Sequence, residues 1–414
     1  MNQMNRITKL TALVLLSFPF FTQAQGFQVN LQGQAQQAMG GAGTALMQDG
    51  SAVFFNPGGM SFLNENSVTA GATATIANAT FLDADNNSTA KTVSPVSTPF
   101  AAYGVYGTKE GKLKNFKFGM GVYTPFGSIV TWEPGWTGRF ALTSLKLLAI
   151  FYQPTVSYKI CEKLGVGAGF VVANGNVELK EDINVIDANG NYGNADLKGA
   201  ATGYGYNAGI YYKPCPKFSV GLTYRSQVNM KVTDGTATLT VPASLATNIP
   251  SGPFTSSLSL PSVLTLGFSD SLTSKLILVF DINYIGWKCY DTLAFNYKNT
   301  TASFQDTKLP RDYKNTFAFR LGGQYQVTDK IIARAGLSVE LTPISAGYVT
   351  PELPDANRLN FTAGLGYKFN KHLIVDASFT YEHFSRYDDN VALQLNGTYK
   401  TYLSAPGLSL TYKF

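Results

Sequence analysis

The chain ends Gly407-Leu408-Ser409-Leu410-Thr411-Tyr412-Lys413-Phe414, and this octet constrains the fold more than any other segment. Leu408, Leu410, Tyr412 and Phe414 alternate with smaller or polar residues. A period of two marks a strand with one apolar face. A chain that stops on such a strand, aromatic last, reads as the closing strand of an outer-membrane barrel. That strand pairs with the first one, because no open edge survives in lipid. The last strand of a soluble sandwich is the competing reading of these residues alone.

Composition favours the barrel. Charged residues make up 14 % of the chain, against about 25 % in soluble domains. Mean hydropathy is near zero, which excludes a bundle of membrane helices and fits alternating lipid-facing and lumen-facing residues. The net charge of +6 comes without a basic run or aromatic–basic stripe, so no nucleic-acid partner is expected. It suits an acidic lipopolysaccharide surface or an anionic solute. Residues 1–24 read as a signal peptide, with Arg6 and Lys9, an apolar run from Leu10 to Phe21, and a small-residue cleavage site at Thr22-Gln23-Ala24. The mature chain is expected to begin at Gln25.

After about residue 66, period-two segments recur. Leu373-Val375-Ala377-Phe379-Tyr381 and Phe361-Ala363-Leu365-Tyr367-Phe369 are two of roughly fourteen, each near the ~10 residues of a tilted barrel strand. The connections alternate between short turns (Cys161–Lys163, Lys213–Lys217, Asn370–His372) and long polar stretches (Asn78–Val96, Pro125–Leu145, Asp182–Gly199, Thr233–Thr255, Trp287–Asn315, Thr342–Asn357, Ser385–Tyr399). Short periplasmic turns and long outer loops are the habit of such barrels. The expected fold is therefore all-β: a 14-stranded antiparallel transmembrane β-barrel over 67–414, with residues 25–66 as an N-terminal hatch in its lumen. The cell outer membrane of a Gram-negative bacterium is the expected location, and a monomer the expected state.

The order and spacing of several motifs resemble the FadL-type family of outer-membrane transporters for long-chain fatty acids and aromatic hydrocarbons. These are Gly26-Phe27-Gln28-Val29-Asn30, Gly40-Gly41-Ala42-Gly43-Thr44-Ala45, Tyr123-Thr124-Pro125-Phe126-Gly127, Trp136-Thr137-Gly138-Arg139-Phe140, and Pro351-Glu352-Leu353-Pro354-Asp355-Ala356-Asn357-Arg358. Asn56-Pro57-Gly58 stands where the family has Asn-Pro-Ala. The resemblance implies passive uptake: a greasy ligand lands in an outer groove, enters a deeper pocket and leaves sideways beside a kinked third strand, near the Asn56-Pro57-Gly58 turn. It also implies a head-group role for Lys314. The second basic position of the family falls nearest Leu179, with Lys180 on the other face.

Further expectations come from the residues. Phe126, Trp132, Trp136 and Phe140 form either a landing groove or an interfacial aromatic girdle. Leu245, Ile249 and Phe254 are read as the groove's other wall. Arg320 and Arg334 point into the lumen, either to meet a ligand or to hold the hatch through ion pairs. The weak point of the wall is placed at Pro125 and Gly127, or lower at Gly119 or Gly121. Cys161 and Cys215 fall in neighbouring turns where a bridge is open. His372 and His383 join no catalytic set, and no enzyme activity, cofactor or metal is expected. A general diffusion porin for small polar solutes is the alternative function.

Overall fold

The computed structural model describes residues 26–414; the segment 1–24 read as a signal peptide, and Gln25, lie outside the described residues. Residues 67–414 form fourteen antiparallel staves, several of them interrupted once along their length. The first stave (Ser67–Thr73 and Ile76–Asp83) pairs with the last (Leu395–Lys413), and this closes the barrel. Closure removes the open sheet edges that lipid does not tolerate. Leu408, Leu410, Tyr412 and Phe414 point outward, each at least 48 % exposed, while Ser409 and Thr411 face the lumen.

The outer connections differ from their sequence reading. The fifth stave (Leu164–Ile186) and sixth (Tyr192–Cys215) run 23 and 24 residues, so the stretch 182–199 is mostly strand. About ten residues cross the membrane, and the rest carries the hairpin roughly 40 Å beyond it at ~3.3 Å per residue. Stretches 233–255, 287–315 and 385–399 likewise contain strands, at Val228–Thr240, Gly252–Leu260, Thr292–Tyr297 and Leu373–Asn390. Their polar, alternating sequences face water on one side and pack on the other.

Residues 26–66 fill the lumen with two short helices, Gln34–Gln37 and Ala52–Phe55, and a turn of 3₁₀ helix, Gly59–Phe62. Such short elements leave most backbone donors without helical partners, and the wall supplies them. Gly43 and Thr44 N–H donate to Asp281 Oδ2 at 2.9 and 3.0 Å. Gly40 N–H donates to Thr362 Oγ1 at 2.8 Å, and Ser61 N–H to Ser157 Oγ at 3.0 Å. Gly40 and Gly41 both take positive φ, 72° and 80°, a conformation that side chains resist. A Cβ on Gly40 would lie 2.6 Å from the Leu337 carbonyl oxygen.

Candidate functional site: a break in the wall and the cavity behind it

The second stave is split into Thr89–Lys91 and Phe100–Tyr106. Its ladder to the third stave (Phe116–Thr131) stops at Ala101 opposite Tyr123 and is next met where Val93 N–H donates to Thr131 O at 2.7 Å. Pro95 and Pro99 in the interval have no N–H to give. On its other side the third stave carries a bulge, with register lost between Tyr123 and Phe126. Pro125 sits in that bulge.

The start of the hatch mends part of this edge. Val29 N–H donates to Pro125 O at 2.8 Å, Gly127 N–H donates to Phe27 O at 3.3 Å, and Gln28 bridges Phe126 in antiparallel fashion. Three residues thus act as a short inner strand for backbone the second stave has abandoned. The break lies between two rows of the barrel ladder. Leu408, Ala72 and Phe100 share the lower, apolar row, and Lys400, Thr80 and Lys91 the upper, charged one.

Residues 341–357 cap the outer end and reach down to hold Gly26. Arg386 donates to the Ile344 and Ser345 carbonyls, both at 3.0 Å, Asp388 accepts from Gly347 N–H at 2.7 Å, and Arg311 pairs with Glu352 at 2.6 Å. At the cap's base Asp355 Oδ2 accepts from Gly26 N–H at 3.1 Å, and Arg358 Nη2 donates to Gly26 O at 3.3 Å. The Glu352–Arg358 segment therefore fixes the residue from which the inner strand starts. Burial and the facing Glu352 raise the Glu181 carboxyl to about 7 beneath this cap.

A cavity of about 1000 Å³ begins among Arg320, Glu340, Arg358 and Glu382, passes Phe27 and Phe126, and continues through the break between Ser94–Phe100 and Thr124–Val130. It reaches the outward-facing Leu148, where Lys146, Glu178 and Lys198 rim it. A second cavity of about 100 Å³ is lined by Leu145, Val177, Leu179, Leu258, Leu260 and other apolar groups. Phe27, Phe126, Leu147, Val177, Glu352 and Leu353 are among the residues that line both, and the two rings stand between the cavities. Phe27 is held edge-on by Trp287 at 4.8 Å and by Tyr290 at 5.6 Å between ring centroids.

The sequence candidates divide sharply. Phe126 lines both cavities, and Gly127 lines the larger one at its outer lip. Lys314 is exposed and lines neither, because its backbone is tied to the cap through Pro343 and its side chain points to solvent. Trp132 and Trp136 line neither: they stack on each other at 4.3 Å and pack against Tyr399 and Phe81 as a buried support for the cap. They are thus neither groove nor girdle. Phe140 sits outside with Arg139 and Tyr192. Leu245 and Ile249 occupy a hairpin tip, and Phe254 lines neither cavity but is buried against Tyr297 and against Phe295, which lines the smaller one.

Arg320 and Arg334 face the lumen. Arg320 pairs with Glu340 at 2.7 Å and donates to the hatch at Gly40 O at 2.9 Å; Arg334 pairs with Asp376 at 2.6 Å. Gly119 and Gly121 are in unbroken ladder, paired with Thr155 and Gln153. Their bare faces admit the hatch, since a Cβ on Gly119 would lie 2.6 Å from Val53 Cγ2. The Asn56-Pro57-Gly58 turn is not beside Tyr123–Gly127. Asn56 Nδ2 donates to Ile210 O at 3.1 Å on the sixth stave, and Pro57 and Gly58 press on Gly165, Gly167 and Gly209. Val53 and Phe54, just upstream, are what meet the third stave, with Phe54 5.1 Å from Tyr123. Cys161 and Cys215 are free and exposed. Phe27, Leu353, Asp355 and Arg358 line the larger cavity, and residue chemistry alone did not single them out, although the motifs containing them carried the resemblance.

Residues 15–414 match the family described as outer membrane protein transport protein (OMPP1/FadL/TodX). The chain belongs to this family. A putative outer membrane protein of Neisseria meningitidis is 25 % identical, over 94 % of this chain and 95 % of its own length. The long-chain fatty acid transport protein of Escherichia coli is 26 % identical over 50 % of this chain and 47 % of its own. The crystal structure of a Pseudomonas aeruginosa FadL homologue superposes with a TM-score of 0.80 at 19 % identity, covering 94 % of this chain and all of that one. The OMPP1/FadL/TodX family consists of outer-membrane transport channels for hydrophobic small molecules rather than enzymes. Its location here is the outer membrane.

Proposed function

We propose that this barrel takes up apolar solutes passively and releases them sideways through the break between the second and third staves. The observation that carries this reading is the single cavity running from the closed lumen to the outward-facing Leu148. The break sits between an apolar and a charged ladder row, which is the level of the outer lipid leaflet. A solute leaving there enters lipid without crossing water. Burying ten methylenes at ~0.8 kcal/mol each supplies roughly 8 kcal/mol before losses, enough for about micromolar capture. The small apolar cavity serves as the first holding place, and Phe27 with Phe126 as the partition a solute must displace. A general diffusion porin needs an open aqueous lumen, and residues 26–66 occupy it.

Long-chain fatty acids and aromatic hydrocarbons both fit such a path by their apolar parts. The test is a bulky side chain at the outer lip. Gly127→Trp is expected to abolish uptake of a labelled hydrocarbon while the barrel keeps its heat-modifiable gel mobility. Normal uptake by a folded Gly127→Trp variant would sink the lateral route.

A further inference from the structure

We infer that Lys146, on the outer face of the wall, holds the carboxylate of an acidic apolar solute at the mouth of the break, while the solute's tail lies along Leu148 and the lipid. This rests on the uptake reading above and assigns a head-group residue to it. The larger cavity ends outside the barrel, where Lys146, Leu148, Glu178 and Lys198 line it. The strand register fixes their heights. Gly127, at the outer lip, is opposite Leu148, and Ile129 is opposite Lys146. Lys146 continues into one cross-strand row with Glu178 and Lys198. Alternation turns the side chains of this row, and Leu148, away from the lumen. Lys146 thus stands about 7 Å above Leu148 along the stave. In the chain, Ile129 comes between Thr124, whose Oγ1 accepts from Phe100 N–H at 3.0 Å, and Glu133, whose N–H donates to Lys91 O at 3.0 Å. Phe100 belongs to the apolar ladder row and Lys91 to the charged one. Lys146 therefore lies where the apolar level gives way to the charged one.

The cluster is cationic, and Lys146 is its least engaged member. Lys146, Lys180 and Lys198 face Glu178 and Asp196, which leaves one positive charge over. Glu178 is held closest by Lys180, at 2.9 Å, and Asp196 by Lys198, at 2.8 Å; Lys146 reaches Glu178 only at 3.8 Å. Its side chain is 56 % exposed, on the side of the cluster nearest the break. At the inner end of the cavity the cations are committed. Arg320 holds Glu340 at 2.7 Å and Gly40 O at 2.9 Å, and Arg358 holds Glu382 at 3.0 Å and Gly26 O at 3.3 Å. A solute carboxylate therefore meets its uncommitted cation at the mouth. There an ammonium can donate charge-assisted hydrogen bonds to it. A long-chain alcohol has the same tail and gains no ion pair. Holding the head group at this height lets the tail enter lipid while the charge stays at the polar level.

The experiment is equilibrium binding of laurate and dodecanol to the purified mature protein in phosphatidylcholine nanodiscs at pH 8 and low salt, with binding to empty nanodiscs subtracted. Lys146→Gln is expected to lower the affinity for laurate relative to dodecanol about threefold, the size of an exposed ion pair. Lys146→Arg should restore the ratio. Glu178→Gln removes the competing carboxylate and should raise the ratio by about as much. An unchanged ratio in a folded Lys146→Gln protein, or equal weakening of both ligands, would overturn the inference and leave the uptake reading intact. If the ratio is unchanged and less lipopolysaccharide co-purifies with the variant, Lys146 serves a lipid phosphate instead, and the inference is equally overturned. Failure of both ligands to bind would remove the uptake reading, and this inference with it.

Discussion

Single atoms decide several features of this molecule. Gly58 stands where the family has alanine, and the reason is steric: a Cβ there would lie 2.5 Å from Gly209 O and 2.9 Å from Gly165 O. Overpacking of this kind costs about 1–3 kcal/mol. Gly58→Ala is therefore expected to loosen the docked hatch, seen as faster protease cleavage within residues 26–66 at unchanged barrel mobility. Asn56 is fully used, since its Oδ1 accepts from Gly58 and Gly59 N–H while its Nδ2 donates to Thr44 O and Ile210 O. Lys314→Ala should leave binding of laurate and of hydrocarbon alike, because the lysine lines neither cavity; a selective loss for laurate would restore it as a head-group ligand. The direction of Arg320 was legible from its alternation against Phe317, Phe319 and Leu321. Its partners were not, because Glu340 and Gly40 lie far off in sequence and only the closed barrel brings them together.

At the scale of elements, the cap carries a pH dependence. Glu181 holds its proton up to about 7 when the cap is docked, against an ordinary 4.5. A group raised in the docked state contributes stability fully below its undocked value, and loses it as pH rises through the docked one. Docking of residues 341–357 should thus weaken between about pH 4.5 and 7, as ionised Glu181 comes to face Glu352. Hydrogen exchange across the cap should quicken over that window, and Glu181→Gln should flatten the response; an equal response in the variant would remove Glu181 from the account. Strands such as Leu373–Asn390 were readable from alternation because one face meets lipid along the membrane crossing. Residues 92–99 were not readable as a wall defect, because two prolines and four polar residues look the same in a loop above the membrane as in a gap within it. The Asn56–Gly58 turn was recognisable as a turn, yet its docking site depends on how the preceding thirty or so residues fold, which local chemistry does not fix.

At the scale of the whole molecule, a closed barrel solves the edge problem everywhere except at the break between the second and third staves. There the chain's own beginning supplies the missing strand, and the cap holds that beginning in place through Asp355 and Arg358. Removing residues 26–60, Phe27 among them, should raise single-channel conductance; unchanged conductance would mean that these residues do not block the lumen. The central claim is that the solute leaves through the wall. Photolabelling of the protein in membranes with a diazirine-bearing hydrocarbon, mapped by mass spectrometry, tests it most directly. The account predicts labels on Ser94–Phe100, Thr124–Val130 and Leu148. Labels concentrated instead on Met47, Phe62 and the periplasmic turns would show passage through the hatch and contradict it.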